Sequence, residues 1–127
     1  MSHLYAPHPS LIGALTWFKV QFGLDGYDDM HRVQVDQLGE ANTVGSVRPN
    51  GQHAVLLDLD VPAWLIPSST EGHGHLYADV SCSWRDYRRF LKAAAKVGLI
   101  EDGYASASIR RGHSALRLPW VRKVDDQ

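Results

Sequence analysis

Near the amino terminus, Leu11, Ile12, Leu15, Phe18 and Phe22 recur at helical spacing, with Ser10 before them and Gly23 after. A polar cap ahead of an apolar stripe and a glycine behind it predict a helix at about 10–22. Residues 24–40 read two ways: Arg32–Asp36 alternates like a strand, whereas Asp28 or Asp29 can cap a short helix, and the pattern leans to helix. From Ala41 the period becomes two. Thr43–Val47 and His53–Asp60 flank Arg48-Pro49-Asn50-Gly51, which predicts a hairpin. Trp64–Ser69 and His73–Val80 predict two further strands, set apart by Val61-Pro62-Ala63 and by Thr70-Glu71-Gly72.

Ser83-Trp84-Arg85-Asp86 has the form of a capping box, with Asp in place of Glu. It opens a helix in which Trp84, Tyr87, Leu91 and Ala94 share one face, and Gly98 ends it. Tyr104–Arg110 and Ser114–Leu118, bridged by Arg111-Gly112, predict a second hairpin, followed by a basic tail at Pro119–Lys123. The expected architecture is α+β: a mostly antiparallel sheet with helices packed on one face. It forms a single domain over 1–127, with an amino-terminal helical segment at about 10–40 and a sheet-and-helix core at about 41–124.

Composition narrows the class of protein. At 44% apolar and 21% charged residues, the chain is neither disordered nor membrane-spanning. Its longest apolar runs, Ala54–Leu57 and Val61–Pro67, fall far short of the roughly 20 residues that cross a bilayer. Leu11–Phe18 lacks the basic flank and small-residue cleavage site of a secretory signal. The single cysteine, Cys82, has no partner for an internal disulfide, so the expected location is the cytoplasm.

Charge is distributed unevenly. Residues 1–81 carry three basic groups against nine acidic ones, whereas residues 82–124 carry ten basic groups against three acidic ones. Clustered cations of this kind suit a polyanionic partner, although a solvated helix face balanced by nearby acids has the same count.

The alternation also predicts a chemistry. If His53–Asp60 is a strand, Leu57 and Leu59 face the core while Asp58 and Asp60 face away. The same parity on the later strand sends Leu76, Ala78 and Val80 inward, and His73, His75, Tyr77 and Asp79 outward. On one shared sheet, three carboxylates and two imidazoles converge. Neighbouring carboxylates repel unless a cation lies between them. Oxygen donors favour Mg or Mn, and imidazoles shift the preference toward Mn, Zn or Fe. The plainer alternative is a strand face solvated by water. Between those strands, Ser68-Ser69-Thr70-Glu71-Gly72-His73 can turn backbone N–H groups and hydroxyls toward a phosphate, with His73 as a further donor, or can be an ordinary tight turn.

These residues resemble a known family. Val55-Leu56-Leu57-Asp58-Leu59-Asp60, with Pro67-Ser68-Ser69-Thr70-Glu71-Gly72-His73-Gly74-His75-Leu76-Tyr77 downstream, is similar to the first two motifs of the archaeo-eukaryotic primase and primase-polymerase superfamily. The resemblance covers about residues 55–80. It implies an RRM-like core, with Asp58 and Asp60 as ligands of a catalytic Mg or Mn, and Ser69 and His75 as contacts to a nucleotide's phosphates. The family's third acid has no counterpart in Tyr104–Arg110, and Asp79 is the candidate in its place. The whole chain also resembles small proteins of actinobacteria and their phages.

Further cations lie in the carboxy-terminal half. Arg85, Arg88, Arg89, Lys92 and Lys96 form a stripe on the predicted helix. Arg117, Trp120, Arg122 and Lys123 combine charge with an aromatic ring, as in proteins that hold single-stranded nucleic acid, and Arg110 and Arg111 extend that surface. Trp120 can equally be a core plug. No Gly-x-Ser-x-Gly elbow, Walker loop, dinucleotide fingerprint or zinc-finger cysteine pair is present. The expected function is a nucleic-acid-associated, primase-polymerase-like domain with a divalent-metal and nucleotide site. The alternatives are a non-enzymatic module that binds nucleic acid or a host protein, a metal-dependent phosphodiesterase or nuclease with His73 or His75 as general acid or base, and an oligomeric adaptor without metal.

Overall fold

Residues 9–20 and 32–122 are described by the computed structural model, and they divide between two compact units, residues 1–58 and 59–127. In the first unit, α1 (Pro9–Gly13) is a single short turn of helix that leads into β1 (Thr16–Val20). The helix predicted at 10–22 is therefore cut short. Ala14 and Leu15 donate backbone hydrogen bonds to the carbonyls of Leu11 and Ile12 at 3.0 and 3.2 Å, tightening the chain out of the helix. Thr16, Trp17, Phe18 and Val20 are β-branched or aromatic, and they find partner backbone on both sides. β1 is the central strand of an antiparallel sheet in the order β2 (Arg32–Gln34), β1, β3 (Thr43–Gly45).

The helix favoured for residues 24–40 falls partly on residues 21–31, which lie outside the described residues. The rest forms β2 and a 3₁₀ turn at Leu38–Glu40, because Phe18 and Val20 supply ladder partners to Gln34 and Arg32. Asn42 extends this ladder with its side chain: its Oδ1 accepts from Val20 N–H and its Nδ2 donates to the Val20 carbonyl, each at 2.9 Å. Leu15 and Val20 are buried. Gly45 is needed at its position, since a Cβ there would lie 2.8 Å from the Phe18 ring.

The Pro-Asn-Gly turn forms where its residues predict it. Arg48 N–H reaches the Gln52 carbonyl at 2.8 Å, Gly51 adopts φ +82°, and Val47 pairs with His53. The returning strand expected over His53–Asp60 does not form. Beyond Ala54 no described strand runs alongside, and alternation without partner backbone makes no ladder. Leu57, placed in the core by that expectation, is 67% exposed.

In the second unit, β4 (Ala63–Pro67) pairs antiparallel with β5 (Gly74–Ala78), with Trp64 opposite Tyr77, Leu65 opposite Leu76 and Ile66 opposite His75. These are the two predicted strands, each ending two residues early, with β4 starting one residue before and β5 one residue after the expected start. The sheltered face is the reverse of the expected one: Leu76 and Val80 are exposed, whereas His75 and Tyr77 are half-buried. A two-stranded hairpin is marginal alone, and here the chain's later segment shares a cleft with the His75 face.

Helix α2 (Trp84–Lys96) begins as predicted, with Asp86 N–H donating to Ser83 Oγ at 3.1 Å. The Trp84 and Tyr87 rings lie 5.9 Å apart on the predicted face. Gly98, at φ +84°, stops the helix. The expected hairpin over 104–118 is instead α3 (Asp102–Arg111) with irregular chain after it. Ala105 and Ser108 are small residues one turn apart on α3, which packs against α2, and they are buried, as are Leu91 and Ala94 of α2. Asp102 in the first turn, Arg110 and Arg111 in the last, and left-handed Gly112 at the end all favour a helix. The chain is thus mixed α and β, with antiparallel sheets of three and two strands and three α-helices among the described residues.

Candidate functional site

The turn between β4 and β5 is built by its own backbone. Ser68 N–H donates to the His73 carbonyl and His73 N–H to the Thr70 carbonyl, both at 3.0 Å, and Gly72 takes φ +80°. Ser68 Oγ also accepts from Thr70 N–H at 3.3 Å. Ser68 and Ser69 therefore stand at the turn end of the hairpin, two and three residues past Ile66 of the Ile66–His75 pair. Around them lies a cleft of about 430 Å³. Its polar lining is Ser68, Ser69 and His75 on the hairpin, and Arg117, Trp120 and Arg122 on the carboxy-terminal segment.

Ile66, Leu118 and Val121 supply the apolar wall. The chain turns at this point, with Val121 N–H donating to the Leu118 carbonyl at 3.0 Å. Trp120 is 78% exposed, so it is not a core plug. Arg117 is half-buried and Arg122 exposed, and neither is ion-paired among the described residues. A half-buried guanidinium without a carboxylate retains its capacity to bind an anion. Hydroxyls, an imidazole and two guanidiniums recognise phosphate, and an open indole face recognises a flat ring. The volume suits one small ligand.

Other predicted residues are arranged differently. His73 closes the turn by its backbone and is exposed, and its side chain does not line the cleft. Lys123 lies outside the described residues. Asp58 and Asp60 are exposed on the irregular segment before β4 and not on a strand, so the sheet face expected to carry them beside His73 and His75 is not formed. Asp79 is exposed just past β5, its N–H donating to the Pro62 carbonyl at 2.8 Å. Among the described residues no three His, Cys, Asp or Glu side chains gather where they could hold one ion.

Arg85, Arg88, Arg89, Lys92 and Lys96 are all exposed on α2, opposite its buried side, as the spacing predicts. Arg85 Nε approaches Asp86 Oδ1 at 3.7 Å, but both side chains are largely solvated and the pair contributes little. Arg110 and Arg111 end a helix and do not tip a hairpin.

Sequence reasoning missed the apolar wall. Its signal was the run Leu118-Pro119-Trp120-Val121 bracketed by Arg117 and Arg122, an apolar patch inside a cationic one. A second cleft, of about 600 Å³ in the first unit, is lined by Leu15, Trp17, Val35 and Val47 with Arg48, and holds none of the predicted site residues. Among the described residues no helix is long and apolar enough to cross a membrane. No protein-family model, curated protein or solved structure matches the chain.

Proposed function

We propose that this chain is a cytoplasmic, nucleic-acid-associated domain of primase-polymerase type that holds a nucleotide in the cleft between the Ser68–Gly72 turn and the segment 117–122. The observation that carries this reading is the meeting of Ser68, Ser69 and His75 with Arg117, Trp120 and Arg122 around one cleft. In it, the Ser69 hydroxyl and the His75 imidazole donate to phosphate oxygens, while the Ser68 hydroxyl, which donates to the Thr70 carbonyl at 3.4 Å, holds the turn in shape. Arg117 neutralises their charge, Arg122 extends the attraction outward, and Trp120 offers its face to the base. An RRM-like core belongs to the same proposal.

The donor set suits a divalent ion only in part. Asp58 and Asp60 are hard, exposed carboxylates without ion pairs among the described residues, and Asp79 is a third candidate. Carboxylate oxygens with water are the hard donors that Mg or Mn takes. Such an ion would neutralise phosphate charge during nucleotidyl transfer. A second reading, a nucleic-acid-binding module without chemistry, draws on the exposed cationic stripe of α2 and on the missing third acid.

Titration calorimetry with a nucleoside triphosphate tests the first reading. Ser69→Ala combined with His75→Ala is expected to weaken binding by about tenfold or more. Wild-type protein that binds no nucleotide, or a double variant that binds as tightly as wild type, overturns it. Nucleotide-independent binding of single-stranded DNA would then favour the module.

A further inference from the structure

Three consecutive residues after α3 are all tied to Ser108. Gly112 N–H and His113 N–H donate to its carbonyl at 2.9 and 3.1 Å, and Ser114 Oγ donates to its Oγ at 2.9 Å. Ser114 Oγ in turn accepts from Tyr87 Oη at 2.7 Å, so α2 is bonded to the same point across 27 residues. Ser108 is 0% exposed. Water cannot replace a bond lost there, and the hydroxyl would be left without a partner. Neither the helix cap nor the packing of α2 on α3 needs this relay of hydroxyls: Gly112 already caps α3 by its backbone, and Leu91, Ala94 and Ala105 supply the apolar contact.

The relay acts on the segment beyond it. Arg117 is three residues past Ser114, a reach of at most about 11 Å for fully extended backbone. Fixing Ser114 therefore restricts where Arg117 and the Leu118–Val121 turn can stand. We propose that Ser114, held between Tyr87 and Ser108, is the positioning residue of the cleft: it aims the segment carrying Arg117 and Trp120 at the hairpin that carries Ser69 and His75. This rests on the nucleotide reading only for its ligand; the positioning itself is a statement about the chain.

Hydrogen exchange and affinity separate the two. Ser114→Ala removes both bonds of the relay and Tyr87→Phe one of them, and Ser114→Thr keeps the hydroxyl. Both deletions are expected to speed amide exchange over 117–122, most visibly at Val121, whose N–H is bonded to the Leu118 carbonyl, while α2 and α3 keep their protection, and to weaken nucleotide binding by about tenfold, Ser114→Ala at least as much as Tyr87→Phe. Ser114→Thr restores both. Unchanged exchange over 117–122 in both deletions overturns the proposal, as does equal loss of protection in the helices, which would mark Ser114 as merely structural. Faster exchange over 117–122 in a protein that binds no nucleotide in its wild-type form upholds the positioning and sinks the proposed function instead.

Discussion

Ile66 and His75 stand directly opposite each other across the β4–β5 ladder, so an apolar side chain and an imidazole leave the hairpin on the same face and line the same cleft. Leu65 and Leu76, one residue along on each strand, are also opposite each other and emerge on the other face.

Two neighbouring residues therefore have separable effects. His75→Ala is expected to weaken nucleotide binding about tenfold, whereas Leu76→Ser, one residue away on the exposed side, leaves it unchanged. Calorimetry on both variants checks this, and a loss caused by Leu76→Ser would mean that the cleft lies on the wrong face.

Trp120 has little to lose in stability because it is 78% exposed. Trp120→Ala should leave the melting temperature unaltered but cost roughly 1–3 kcal/mol in binding of a short oligothymidylate, the usual worth of one stacked base. Trp120→Phe should keep most of that affinity. Fluorescence anisotropy of a labelled oligomer measures both.

The α2 stripe predicts a salt effect. Removing Arg88 and Arg89 together should reduce the slope of log affinity against log salt by about 1.4 for single-stranded DNA, if each neutralises one phosphate. An unaltered slope would show that the stripe faces solvent and not the strand.

Adjacent residues of α2 should also differ in stability. Leu91 is 2% exposed and Phe90 58%. Leu91→Ala should cost about 2 to 5 kcal/mol in chemical denaturation, and Phe90→Ala much less despite the larger side chain removed. A comparable cost for both would imply a covering for Phe90.

For the carboxylates, Asp58→Asn with Asp60→Asn should abolish binding of Mn to the protein, measured by electron paramagnetic resonance without nucleotide, with the circular dichroism spectrum unchanged. Retained Mn binding would move the ion elsewhere.

Several elements were legible in the chain. The Ser83 cap, the Gly98 stop and the Pro-Asn-Gly turn each depend on residues within about four positions of one another, so composition and spacing suffice to read them. The β4–β5 hairpin was equally readable, since its strands are joined by a short turn and pair in sequence order. Two segments misled. Thr16–Val20 shares a helical period with Leu11 and Ile12 yet became a central strand, because partners 12 to 16 and 25 to 29 residues on satisfy its backbone. Tyr104–Arg110 alternates like a strand yet became a helix that packs against α2 and buries its small residues Ala105 and Ser108. The first outcome is not contained in its segment, whereas the second is also favoured by Asp102, Arg110, Arg111 and Gly112 at the segment's own ends.

The same division holds for the candidate site. Residue types and local order determined that a hydroxyl-rich turn precedes His75, that cations bracket Trp120, and that α2 carries its charge on one side. Only the tertiary structure decided which side of β5 is sheltered, that Asp58 and Asp60 lie off any strand, and that residues 66–69 and His75 line one cleft with residues 117–122. Local hydrogen bonds select the first set over a few backbone dihedrals. The second set depends on contacts between segments some 40 or more positions apart, whose energy comes from burial and pairing that no short stretch of chain encodes.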